Sequence, residues 1–156
     1  MTPAVKQLER AGVAFTLAEY AHDPRPPAYG EEAARALGLS PDEVFKTLLV
    51  KLDDGRLAVA IVPVAGQLDL KALARAAGAR RAAMAEPEAA QRATGYVVGG
   101  ISPLGQKRRL ATFLDESAAA LPAIHVSGGR RGLEIRLAPA DLMRLTGARL
   151  APLARG

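Results

Sequence analysis

The sequence contains no cysteine and no tryptophan, and only two histidines, His22 and His125, about a hundred positions apart. Without cysteine there is no disulfide, no thiolate zinc site and no cysteine nucleophile. A Ser-His-Asp triad is arithmetically available, but no G-x-S-x-G elbow accompanies it. A histidine-based metal site would need carboxylates for most of its ligands, so neither metal nor other cofactor is expected. Aromatics make up 4% of a chain that is 49% hydrophobic, which leaves Leu, Val, Ile and Ala to build the core. No apolar run approaches the roughly 18 to 20 residues that span a bilayer, so no membrane association is expected. The opening "MTPAVKQLERAG" lacks the apolar centre of a signal peptide, and a cytoplasmic location is expected.

What is present fits one domain covering residues 1–156, able to bury roughly 70% of the surface its unfolded form exposes. Thr2, Pro3 and Gly12 cap and close a first helix. "VAFTLAEYAHD" alternates as a strand does, and "PRPPAYG" is a loop, because three prolines in four positions continue no regular structure. "EEAARALG" predicts a short helix, and Ser40, Pro41 and Glu43 form a capping box. "KTLLVKL" and "RLAVAIVPV" around "DDG" predict a hairpin. Asp69 caps a helix over "LKALARAAG", and "EPEAAQRATG" and "APADLMRLTG" supply two more. "YVVGG", "ATFLD", "AIHVSGG" and "LEIRL" read as further strands. The order lacks the regular alternation of a doubly wound fold. It predicts a compact α+β domain with a mixed, strongly curved, barrel-like sheet flanked by short helices.

Net charge is +5, and cations cluster at Arg80-Arg81, Lys107-Arg108-Arg109 and Arg130-Arg131. Each cluster alone reads as a solvated surface; three at turn-like positions favour an anionic partner such as nucleic-acid phosphate. The stretch "VVGGISPLG" has two readings. It is a tight turn needing glycine's positive φ, or a place where backbone N–H groups approach a ligand and Pro103 stiffens the far side. Lys46, at the entry of a buried-looking strand, either snorkels to the surface or meets a substrate oxygen. "SGGRRGLE" repeats the pattern of glycines, cations and a carboxylate, Glu134. Tyr20 and His22 precede the proline loop and read as half-buried and surface residues, or as members of a site.

The segments "FKTLLVKL", "VPVAGQLDLKALA", "QRATGYVVGGISPLGQKRR" and "VSGGRRGLEI", in that order, resemble the YbaK-type aminoacyl-tRNA deacylases. The opening 24 residues fit the same pattern, so the likeness spans the chain. Within the family it is most similar to the class that acts on Cys-tRNA(Pro). The resemblance implies a free-standing editing enzyme that removes cysteine mischarged onto tRNA(Pro), in a transient ternary complex with prolyl-tRNA synthetase. It also implies that the substrate's own thiol attacks its ester carbonyl, so that no protein nucleophile is needed. Backbone N–H groups at Gly99, Gly100, Ile101 and Ser102 would then hold the carbonyl. Lys46 would hold the terminal ribose or phosphate. Tyr20, His22, Thr47, Pro103 and Glu134 would shape the substrate pocket, and Lys107, Arg108, Arg130 and Arg131 would meet the tRNA backbone. Glu134 stands where many relatives carry Asp, and Ala93 where relatives often carry Ser. A sister class that clears alanine by water attack, and a non-catalytic tRNA- or synthetase-binding module, are the competing readings.

Overall fold

A computed structural model describes residues 1–21 and 29–156. Helix α1 (Pro3–Ala11) starts where the Thr2 side chain accepts from the Val5 N–H and stops where Gly12 turns left-handed at φ +70°. Strand β1 (Phe15–Glu19) follows. The proline-rich segment expected as a loop lies mostly outside the described residues, as does His22, and its last two residues begin α2 (Tyr29–Leu37).

The capping box expected at Ser40 is a turn only. Asp42 N donates to Ser40 Oγ and Glu43 N to Ser40 O, and the chain then enters β2 without completing a helix. Strands β2 (Phe45–Leu52) and β3 (Leu57–Pro63) form the predicted antiparallel hairpin, with Lys46 opposite Val62 and Leu48 opposite Ala60. Then come β4 (Gln67–Leu68), α3 (Leu70–Ala76), β5 (Ala82–Met84) and α4 (Pro87–Thr94). Asp69 caps α3 as expected, accepting from Lys71 N and Ala72 N. The chain closes with β6 (Ala111–Asp115), a 3₁₀ turn (Glu116–Ala120), β7 (Ile124–Ser127), β8 (Leu133–Leu137), α5 (Pro139–Thr146), β9 (Arg149–Ala151) and β10 (Ala154–Arg155).

"YVVGG" is not a strand. Gly100 N donates to Val97 O at 2.9 Å, closing a tight turn that puts Gly99 at φ +97° and leaves Val97 71% exposed. Positive φ breaks the extended run that the apolar residues alone suggest.

The strands form a mixed five-stranded sheet, β5-β2-β3-β6-β9, an antiparallel three-stranded sheet, β1-β8-β7, and a two-stranded ribbon, β10-β4. The fold is α+β, but among the described residues no sheet closes or curls strongly, so the barrel-like expectation is corrected. Among the described residues, the two larger sheets are joined by a single bridge, Val44 with His125, where His125 N donates to Glu43 O at 2.9 Å. The main core lies between these sheets and takes Leu8, Phe45, Leu49, Ile61, Leu104, Leu114, Ile135 and Leu142. A second cluster, with Val50, Val62, Leu73 and Phe113, fills the far side of the five-stranded sheet under α3. Among the described residues no helix is long and apolar enough to cross a membrane.

Candidate active site

A cleft of about 380 Å³ opens where the two sheets part. Its floor follows from the pairing of β2. Hydrogen bonds from Val64 N to Val44 O and from Leu52 N to Arg56 O fix the register, so even-numbered residues of β2 turn their peptide groups towards β3. Odd-numbered residues turn theirs to the opposite edge. That edge is covered at one end by β5, where Ala85 N donates to Leu49 O, and at the other by β7, where Glu43 O accepts from His125. Between the two, Thr47 would face position 87 if β5 continued, but Pro87 begins α4 instead. The N–H and C=O of Thr47 therefore open into the cleft.

One wall is the loop after α4. Gly99 and Ile101 line the cleft, and their N–H groups meet no acceptor among the described residues. Gly100 serves differently from the expected oxyanion donor. Its N–H is used by Val97 O, and a Cβ there would lie 2.8 Å from Arg130 Cα, so this glycine lets the two glycine-rich loops touch. Ser102 is fully buried, and its Oγ accepts from Leu104 N at 3.2 Å, which bends the loop. Tyr96 below it donates to Leu104 O at 2.7 Å.

The facing wall is the three-stranded sheet. Glu134 pairs with Ala18 of β1 and Ser127 of β7, and all three side chains share a face with Val44 and Lys46. Glu134 is only 6% exposed, and among the described residues one of its carboxyl oxygens has no hydrogen-bond partner. Burial pushes its pKa up to about 8, so the group is mainly neutral at pH 7. Burial also raises the Tyr20 phenol, opposed by a Gly132 N–H and reinforced by the Glu134 charge. Lys46 is half-buried and meets no carboxylate within ion-pair distance among the described residues. At the rim Arg130 reaches Glu19 at 3.4 Å, an exposed and hence weak pair.

Of the residues singled out in the sequence, the cleft assembles Tyr20, Lys46, Thr47, Gly99, Ile101, Arg130 and Glu134. Pro103 and Arg108 lie instead on a separate small hollow beside Gln7, and Lys107 projects from a segment tied to α4 by its N–H to Thr94 O. Arg131 adjoins Arg130 without lining the cleft. Sequence reasoning missed Ser127, Phe45 and Leu49 as lining residues. The signal for Ser127 was its place just before Gly128-Gly129, whose turn it stabilises by accepting from Gly129 N. His125 does not line the cleft, and burial, together with Arg136, lowers its pKa.

The Glu134 carboxyl gives a stability prediction with a defined sign. Its folded pKa lies above the ordinary 4.5, so the folded state holds a proton that the unfolded chain loses. Stability is complete below pH 4.5 and falls as pH rises towards 8, by at most about 1.4 kcal/mol per unit. Glu134→Gln, neutral at every pH, should match the wild type near pH 4.5 and exceed its Tm by about 5 °C or more at pH 8. Thermal melts of both proteins across this range check it; parallel Tm profiles would show Glu134 ionised in the fold.

Comparison with known proteins agrees with this architecture. Residues 26–145 match the model of the "Aminoacyl-tRNA editing domain" family. A protein of Enterococcus faecalis (strain ATCC 700802 / V583), the "Putative Cys-tRNA(Pro)/Cys-tRNA(Cys) deacylase EbsC", is 35% identical over 152 residues, which is 97% of this chain and 92% of that protein. The crystal structure of "a putative trans-editing enzyme for prolyl tRNA synthetase" superposes with a TM-score of 0.84 at 28% identity, covering 100% of this chain and 99% of the other. A hypothetical protein of known structure shares the fold, with a TM-score of 0.86 at 24% identity over 99% of this chain and 100% of its own. The chain belongs to the aminoacyl-tRNA editing domain family.

Proposed function

We propose that this protein deacylates Cys-tRNA(Pro), and Cys-tRNA(Cys) with it, in the cytoplasm, by letting the substrate's thiol displace its own ester. The observation that carries the reading is a cleft with open backbone donors at Thr47, Gly99 and Ile101, beside a Lys46 that, among the described residues, meets no carboxylate, and with no imidazole-activated nucleophile among them. Hydroxyls are present at Ser127 and Thr47, but among the described residues no imidazole lines the cleft to take a proton from either.

An aminoacyl ester is already activated, so orientation and charge stabilisation suffice for a good internal nucleophile. The cysteine sulfur attacks the carbonyl carbon, the carbon–oxygen ester bond breaks, and the thiol proton ends on the ribose oxygen that leaves. The products are free tRNA and cysteine thiolactone, with no water consumed. Gly99 and Ile101 N–H groups receive the developing oxyanion; one such donor is typically worth about 10²- to 10³-fold in rate. Lys46 holds the ribose or phosphate of the terminal adenosine. Arg130, Arg131, Lys107 and Arg108 meet the tRNA backbone, which supplies affinity with little sequence information. A prolyl-tRNA synthetase in transient complex would supply that selectivity.

The test compares Cys-tRNA(Pro) with Ala-tRNA(Pro) and identifies the small product by mass spectrometry. Thiolactone from the first and little reaction of the second is the expected result. Free alanine, with cysteine spared, would replace this reading by water attack. No reaction of either would leave a binding module.

A further inference from the structure

The cleft has two chemically different sides, divided by the open edge of β2. Successive side chains of a strand point to opposite faces. Val44 and Lys46 face α2, where Val44 packs with Ala33, Ala34 and Tyr20. Phe45, Thr47 and Leu49 face the other way, and Phe45 and Leu49 join the main core with Ala90 and Ile101. Among the polar side chains that line the cleft, Tyr20, Lys46, Ser127 and Glu134 share the first side, Glu31 belongs to α2, and Arg130 stands at the rim. Among the described residues the second side is formed by Phe45, Leu49, Ala85, Ala90 and Ile101, and Thr47 is its one polar side chain. In the rotamer present its Oγ1 is shut from solvent, and among the described residues it has no hydrogen-bond partner.

A buried hydroxyl left unpaired is destabilising, so this position favours a ligand atom able to pair with it. A staggered turn of about 120° about χ1 exchanges Oγ1 with Cγ2 and sets the hydroxyl on the cleft wall. We propose that Thr47 is the specificity-determining residue for the amino-acid side chain, its hydroxyl pairing with the thiol of a β-mercapto amino acid in the apolar subsite. This assignment rests on the deacylase reading and deepens it. An ester lying across the edge of β2 places its adenosine on the Lys46 side and its side chain on the Thr47 side. The subsite is lined by apolar side chains, which suits a polarisable sulfur. A hydroxyl both donates and accepts, so it serves the thiol before attack and the sulfur anion as it develops.

The test uses two unreactive amide-linked ligands built on 3′-amino-3′-deoxyadenosine, one carrying cysteine and one carrying 2-aminobutyrate, which replaces the thiol by a methyl group. The wild type should bind the cysteinyl ligand about fivefold more tightly, the scale of one neutral hydrogen bond. Thr47→Val should erase that preference while keeping or raising Tm, because it replaces an orphaned hydroxyl with a methyl. Thr47→Ser should retain the preference. A preference that survives in Thr47→Val, or equal loss of both ligands, would overturn the assignment while leaving the deacylase reading intact. Wild-type protein that binds neither ligand would overturn both.

Discussion

Gly100→Ala should lower kcat/KM for Cys-tRNA(Pro) by about a hundredfold, although residue 100 touches no substrate in the proposed complex. The new Cβ would stand 2.8 Å from Arg130 Cα, 3.0 Å from Arg130 C and 3.0 Å from Arg131 N. All three are backbone atoms, and no rotamer change relieves them. The loop carrying Gly99 and Ile101 must therefore separate from the loop carrying Arg130. The donors are useful only where the carbonyl oxygen will be, and a displacement of about 1 Å is enough to cost roughly 10²-fold. Overpacking also destabilises, typically by about 1 to 3 kcal/mol, so the loss of activity needs a control for stability. Gly55→Ala supplies it. Gly55 sits at φ +91° in the β2–β3 turn with nothing within 4 Å of a new Cβ, so the change strains the backbone far from the cleft. Matched Tm losses with activity lost only in Gly100→Ala would locate the effect in loop apposition. Equal activity in the two variants would remove Gly100 from the positioning of the site.

That apposition marks the limit of what the sequence discloses. The β2–β3 hairpin, α3 under its Asp69 cap, and α4 ending at Gly95 are legible because each depends on neighbours within a few positions. The sheet order is not, because β6 joins β3 in parallel across some fifty residues and β9 joins β6 in turn. The expected curvature failed for the same reason: closure depends on whether β7 pairs with β2 along its length, and among the described residues it bridges only Val44, just before β2. In the site, glycine-rich stretches announce themselves, but their purposes do not. Gly99 supplies a positive φ, Gly100 a close approach, and Gly105 space for the start of α1, where a Cβ would lie 2.5 Å from Pro3 C. Ser102 resembles a donor in sequence and is an internal turn residue in the fold. Thr47 carries no sequence signal for its open edge, which exists because β5 stops at Met84 and Pro87 begins α4.

Lys46→Ala should lower the single-turnover deacylation rate by about a hundredfold or more while leaving Tm nearly unchanged. The stability half of this statement follows from the absence of any ion pair to Lys46 among the described residues, so its removal orphans no buried partner. The rate half follows from its place in the proposed complex. A point charge at the mouth of a largely apolar cleft acts through a lower effective dielectric than in water, so its attraction for the ester or the adjoining phosphate is strong. Binding separates two versions of the role. If the dissociation constant for tRNA holds while the rate falls, the ammonium acts on charge that appears only in the transition state. If both change by the same factor, it holds a ground-state phosphate, and the oxyanion falls to Gly99 and Ile101 alone. Lys46→Arg sharpens the distinction. A guanidinium keeps the charge but spreads it over a planar fork, so it preserves phosphate holding better than contact with one developing oxygen. Recovered binding without recovered rate in Lys46→Arg would therefore place the ammonium against the reacting ester, while full activity in Lys46→Ala would remove this residue from the chemistry altogether.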